Sequence, residues 1–370
     1  MMNYPRMTIN LAQIRHNADL IADKCAKFGI KVAGVNKVTW GDGEVAQVMD
    51  ASKLAEVASS RTAQLEKMKK AGVTKPLMLI RVPMASEADR IVKVADISLQ
   101  SDLDVLRAFN RAAEEHGRKH KVILMIEMGD LREGIWDHEE LMNIVQEVEY
   151  HMPGLVLAGV GTNLGCYGSI LSTPEKMTEL VGYAREIEEI IGRKLEYVSG
   201  GGTRAFARVL DGTMPEGINH LRIGCCMLLA RELHEVWDMD LSEFYSHIFN
   251  LQAEILEVRK KPTHPVGEIG VDAFRNKPVY EDRGIRTKAL LGVGKADFGQ
   301  DLSCLQAREP GIEIVGASSD HLIVDVEDAG REFHSGEVIT IGLDYGAILA
   351  CMASPEIRVE YVNSLDHDYL

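Results

Sequence analysis

A lysine that ends an apolar run, three consecutive glycines, and an arginine before a Gly-Cys-Cys turn are the features of this sequence best able to do chemistry. The run VAGVN, 32–36, stops at Lys37 and enters Thr-Trp-Gly-Asp-Gly. A lysine placed so either carries its ammonium into water along an apolar stem or waits as an amine nucleophile at the rim of a scaffold. The stretch SGGGT, 199–203, leaves the backbone N–H groups of Gly200, Gly201 and Gly202 unshielded, with Ser199 and Thr203 adding hydroxyls. Such a loop is either a flexible turn or a cradle for phosphate. LRIGCC, 221–226, sets Arg222 at the end of another apolar run, followed by Gly224 and Cys225.

These groups need a scaffold, and the first two-thirds of the chain supplies an alternating pattern. Short runs rich in Val, Ile and Leu predict strands at 32–36, 54–59, 77–81, 95–99, 122–127, 156–162, 196–199 and 220–223. Segments of helical period lie between them, among them 61–71, 102–118, 138–150 and 173–191. Strands alternating with helices imply a parallel sheet, and eight such units match a closed (β/α)8 TIM barrel. The competing open, doubly wound sheet is disfavoured because no GxGxxG opens the first unit. Residues 8–245 are therefore expected to form the barrel. From residue 249 the chain reads as strands separated by Gly, Pro, Asp and Ser turns. That pattern predicts a mostly-β C-terminal domain over 246–370, joined by the N-terminal strand 1–10.

A barrel of this kind does its chemistry where the strands end. Lys37 ends the first strand and Arg81 the third; the fifth runs into Glu127 and then Arg132; the sixth ends in Thr162 and Asn163, before Cys166. SGGGT follows the seventh strand and Arg222 ends the eighth, and phosphate sites in this fold commonly form after strands seven and eight. A lysine on strand one, a phosphate cradle and arginines around the mouth together describe a site for pyridoxal 5'-phosphate, with Lys37 as the Schiff-base residue.

At this point the chain resembles the alanine-racemase-like family of pyridoxal phosphate enzymes, over nearly its whole length. MTINLAQIRHN is similar to that family's opening strand and helix, and NKVTWGDG to its lysine motif, one residue shorter. IEMGDLREG, the SGG of SGGGT, LRIG, GEIGVDAF, KPVYEDRGIR and GASSDHLIVDV resemble the members that act on basic amino acids. The resemblance implies racemisation of ornithine or lysine by removal of the Cα proton on one face and its return on the other. It places Lys37 and Trp40 at the cofactor, Arg132 near its phenolic oxygen, Arg222 at its pyridine nitrogen, and Asn163 nearby. Gly224 and Cys225 would join the glycine loop around the phosphate. It also implies a homodimer with shared active sites. The second acid–base group stays open among Lys295, which stands where alanine racemases carry a tyrosine, Tyr345 and Cys166. Asp320 is expected near the substrate, and Asp272, Asp297 and Asp344 are the carboxylates available to a basic side chain. Within the same fold, a racemase of alanine or serine and a lyase of the D-threonine aldolase kind are the alternatives.

Composition excludes other classes. The 370 residues carry a net charge of -15, which disfavours nucleic acid and anionic membrane as partners. No apolar run approaches the roughly 20 residues of a membrane helix. The six cysteines have no CxxC spacing and the twelve histidines no HExxH pattern, so no metal is expected. Free thiols and the lack of a secretory pattern at the N-terminus suggest the cytoplasm.

Overall fold

The computed structural model describes residues 4–230, 233–234, 238–271, 275 and 279–366. The chain divides into two compact units, one of residues 13–246 and one of residues 1–12 with 247–370. The second unit owns the first strand, β1 (Arg6–Asn10).

The larger unit is a closed barrel of eight parallel strands, each followed by a helix. In order around the ring they are β2 (Lys31–Val35), β3 (Glu56–Ser59), β4 (Leu77–Leu79), β5 (Ile97–Gln100), β6 (His120–Met125), β7 (Leu155–Gly161), β8 (Tyr197–Ser199) and β9 (His220–Ile223), with β9 closing on β2. The ends shift from the sequence expectation by one or two residues, because a run such as LAEVAS contains residues that approach the sheet before pairing begins. Ala33, Val35, Ala58, Met78, Leu99 and Met125 fill the lumen. The helices start where side chains satisfy their first amides. Asp102 caps Leu103–Glu115, Asp137 caps His138–His151, and Thr173 with Pro174 opens Pro174–Ile191.

The smaller unit is an antiparallel sheet built around one long strand, β10 (Phe249–Pro262). Its first half pairs with β1 and β15 (Val338–Leu343), and its second half with β11 (Ile285–Leu291). A register shift between Ile255 and Glu257 separates the halves. β12 (Leu305–Ala307) lies beyond β15, while β14 (Leu322–Asp325) and β13 (Glu313–Ala317) follow β11. β16 (Arg358–Val362) runs parallel to β1. Two short helices, Lys295–Phe298 and Tyr345–Cys351, pack together beside the sheet; the strand-only reading of this region had not foreseen them. No helix among the described residues is long and apolar enough to cross a membrane.

Candidate active site

The loop that carries Lys37 is tied down at several points. Asn36 is fully buried; its side chain donates to the Asp42 carbonyl at 2.9 Å and accepts from the Thr39 hydroxyl. The Gly41 N–H returns to the Asn36 carbonyl at 3.1 Å, and the Trp40 N–H to that of Lys37 at 3.1 Å. Trp40 and Gly41 take positive φ values of 55° and 71°. A Cβ at Gly41 would sit 2.7 Å from the Gln64 carbonyl oxygen, so only glycine lets the turn close here. Asp42 then caps the next helix, accepting the Val45 N–H at 3.0 Å. Half-buried Lys37 thus leaves a fixed loop rather than a mobile one.

β2 lies between β9 and β3, and β8 and β7 follow β9 on the other side. The ends of β7, β8, β9 and β2 therefore form one arc carrying Thr162, Ser199, Arg222 and Lys37. Arg222 is only 5% exposed. Its Nη2 donates to the Thr162 carbonyl at 2.8 Å and its Nη1 to the Ser199 hydroxyl, so the guanidinium spans three strands. Burial brings Arg222 down to about 10, against the favourable charge of Glu133; the Arg132 cation pushes it the same way as burial. The group remains a cation at neutral pH. The Ser199 hydroxyl, expected with the phosphate cradle, is hydrogen-bonded to Arg222 and to His220 Nδ1, the latter at 2.9 Å.

The glycines build the neighbouring loop. Gly201 has φ +114°, and a Cβ there would make ordinary contacts with the Thr162 carbonyl oxygen at 3.7 Å and the Ala205 Cβ at 3.8 Å. Gly202 precedes the helix Thr203–Leu210 and Gly224 the helix Cys225–Leu228; neither helix start has a side-chain cap. The Thr203 hydroxyl accepts the Cys226 N–H at 3.2 Å and links the two starts. Gly224 passes so close to β2 that a Cβ would lie 3.0 Å from that of Val35. Helix starts without an N-cap side chain leave backbone amides as candidate donors for an anion. With a lysine and a buried guanidinium on adjoining strands, the set fits pyridoxal phosphate. Lys37 would hold the aldehyde, the 201–203 and 224–225 amides the phosphate, and Arg222 the ring nitrogen.

Arg132, Asn163 and Cys166 occupy the loops after β6 and β7. Arg132 is engaged with the Glu133 carboxylate through Nε and through Nη2, the latter at 2.6 Å. Asn163 donates to the exposed Cys166 sulfur at 3.0 Å. Sequence reading missed the organiser of these loops, Asp130. Its carboxylate is fully buried and accepts the N–H groups of Gly165, Cys166, Tyr167 and Ile170 at 2.7–3.3 Å. Burial alone would raise its pKa, but the four backbone donors overcome that and hold it below the ordinary carboxylate value.

The remaining candidates gather in the β unit. Lys295 opens its helix with its N–H on the Ser318 carbonyl at 2.9 Å, and Ala296 donates to Ser319 at 3.0 Å, which sets Lys295 beside the turn carrying exposed Asp320. Asp297 accepts the Gly294 N–H at 3.0 Å and the Ser354 hydroxyl at 3.1 Å. Asp344 accepts the N–H of Tyr345 at 2.7 Å. Asp297 and Asp344 thus act as helix caps. Asp272 lies outside the described residues. Among those residues, no group of three His, Cys, Asp or Glu side chains is placed to hold a metal ion.

A closed (β/α)8 barrel with a lysine in the loop after its first strand, uncapped helix starts after its seventh and eighth, and a separate β unit make this a two-unit protein of the α/β barrel class. The family described as alanine racemase, N-terminal domain, matches residues 9–232, and the chain belongs to that family. It is 39% identical to ornithine racemase of Acetoanaerobium sticklandii over 357 residues, 96% of this chain and 99% of that one. It is 38% identical to lysine racemase of Thermotoga maritima over 365 residues, 98% and 100% of the two chains. Alanine racemase of Clostridium difficile 630 shares the fold with a TM-score of 0.77 at 18% identity, covering 99% of this chain and 97% of that one.

Proposed function

We propose that this protein is a pyridoxal phosphate-dependent racemase of a basic amino acid, with ornithine as the preferred substrate and lysine as the second. The observation that carries the chemistry is buried Arg222, held by a hydroxyl and a carbonyl between the lysine strand and the glycine loop. The substrate class is supported by nearly full-length similarity to an ornithine racemase and a lysine racemase.

When bound, the cofactor supplies an electron sink that makes the Cα proton of the amino acid acidic. Lys37 would hold the cofactor's aldehyde carbon, and its amine would carry the Cα proton on one face. Arg222 offers only N–H donors, so it orients a ring nitrogen without giving it a proton. That restraint favours returning the proton to Cα over breaking other bonds there. Arg132 orients the phenolic side, with Glu133 fixing its fork. The proton on the opposite face is assigned to Lys295 or Tyr345 of the β unit, supplied by a second copy in a homodimer, with Cys166 as the barrel's own alternative.

Borohydride reduction of the protein with its cofactor, followed by peptide mapping, tests the reading. The pyridoxyl group is expected on Lys37, and Lys37→Ala should form no D-ornithine from L-ornithine. A label on another lysine, or an active Lys37→Ala variant, overturns it.

A further inference from the structure

Barrel lumens are ordinarily filled with branched apolar side chains, yet this one contains a buried polar column. Glu56 on β3, His220 on β9, Ser199 on β8 and Arg222 on β9 are each at most 5% exposed. Tyr197 OH donates to Glu56 Oε1 at 3.1 Å, His220 Nε2 lies 3.4 Å from Glu56 Oε2, and His220 Nδ1 is 2.9 Å from Ser199 Oγ. Ser199 Oγ in turn meets Arg222 Nη1. Ala33 is in register with both Glu56 and Arg222, so β2 places only a methyl group at the level the column crosses. The Tyr197 ring stands edge-on to His220, with centroids 5.1 Å apart.

We propose that Glu56 and His220 are positioning residues that fix the direction of the Ser199 hydroxyl, and thereby hold Arg222 toward the cofactor. The inference rests on the reading of Arg222 given above. Its logic is one of proton direction. A guanidinium can only donate, so Ser199 Oγ accepts from Arg222. The single hydroxyl proton must then go to an acceptor, and His220 Nδ1 is in place. That leaves the imidazole proton on Nε2, facing the Glu56 carboxylate. Electrostatics agree. Burial lowers the His220 pKa despite Glu56, keeping the ring neutral. Burial opposes ionisation of Glu56, but hydrogen bonds from His220 and Tyr197 outweigh it and keep the carboxylate charged. One arrangement of protons satisfies all four side chains. The opposite tautomer would take the Nδ1 acceptor from the Ser199 hydroxyl proton and set the Nε2 lone pair against the Glu56 carboxylate.

The test is a double-mutant cycle with Glu56→Gln and Ser199→Ala in the cofactor-loaded protein, read by turnover and by the visible absorption of the bound cofactor. Glu56→Gln keeps the shape but can donate to Nε2, reversing the tautomer. It should lower kcat by about tenfold, the effect of one misdirected buried hydrogen bond, and shift the absorption. In the Ser199→Ala background the same change should alter neither by more than about twofold. An equal effect in both backgrounds, or none in either, overturns the positioning role. Nitrogen-15 NMR of histidine-labelled wild type supplies a measurement that needs no variant: the His220 proton is expected on Nε2, and a proton on Nδ1 overturns the inference. Wild type that shows no cofactor absorption would overturn the underlying reading, and this inference with it. Normal absorption with either negative result overturns this inference alone.

Discussion

Arg222 reaches across β8 to donate to the Thr162 carbonyl at 2.8 Å while its other terminal nitrogen meets the Ser199 hydroxyl. The two contacts need the planar fork of a guanidinium; an ammonium is a point donor on a flexible stem. Arg222→Lys should therefore lose one contact and, with it, about 1–3 kcal/mol of orientation. Racemisation should fall by about tenfold to a hundredfold, with an unchanged far-ultraviolet spectrum. A variant as fast as wild type would show that the fork does not matter.

Gly201 combines φ +114° with a Thr162 carbonyl oxygen 3.7 Å from where a Cβ would lie. A side chain would strain the backbone and project over the amides proposed to hold phosphate. Gly201→Val should weaken cofactor retention by about 2 kcal/mol, the scale of a lost charge-assisted hydrogen bond. Equilibrium dialysis gives the retention, and the melting temperature of the cofactor-free protein separates strain from lost contact. A folded variant with unchanged retention would count against the cradle.

Much of this site was legible because its residues sit where an apolar run breaks. Ala33 and Val35 face the lumen, and Lys37 is the next position of the same alternation, so its place could be read from a period of two. Arg222 and the glycines were visible for the same reason. His220 and Glu56 were not, since each looks like an ordinary polar residue at the start of a strand. Their meaning comes from lying together across β9, β2 and β3, more than 160 residues apart in the chain. Asp130 was hidden too: its four donors come from a loop 35 to 40 residues later, and no local pattern announces that. Asp297 and Asp344 show the converse, since the sequence displays a carboxylate and only the fold shows that it caps a helix.

Asp130 yields a prediction with a definite sign. Its folded pKa lies below the unfolded value of about 3.9. The carboxylate therefore stabilises its loop above that value, and the contribution is lost as pH falls through the folded pKa. Hydrogen exchange at the Gly165, Cys166, Tyr167 and Ile170 amides should be slow at neutral pH and lose protection below about pH 4. Asp130→Asn, with one acceptor oxygen in place of two, should expose the loop to proteolysis at neutral pH. Equal protection in the variant would remove Asp130 from this role.

The substrate assignment can be tested through the carboxylates. A side-chain ammonium in a partly desolvated pocket needs an acidic partner, and deleting such a partner costs roughly 3–5 kcal/mol. Asp297 and Asp344 already cap helices, so Asp297→Ala and Asp344→Ala should cost about 0.5–2 kcal/mol of stability and slow ornithine and alanine equally. Asp272 and Asp320 are then the proposed partners for the substrate ammonium, Asp320 also accepting the neighbouring Ser319 hydroxyl at 2.6 Å. Asp272→Asn or Asp320→Asn should slow L-ornithine by about a hundredfold or more and leave alanine unaffected. Chiral chromatography of D-product from ornithine, lysine, alanine and serine at equal concentration gives the comparison. Selectivity lost in the cap variants instead would move the ammonium site to those helix starts. Alanine or serine turned over by wild type at least as fast as ornithine would refute the basic substrate and leave the cofactor chemistry standing.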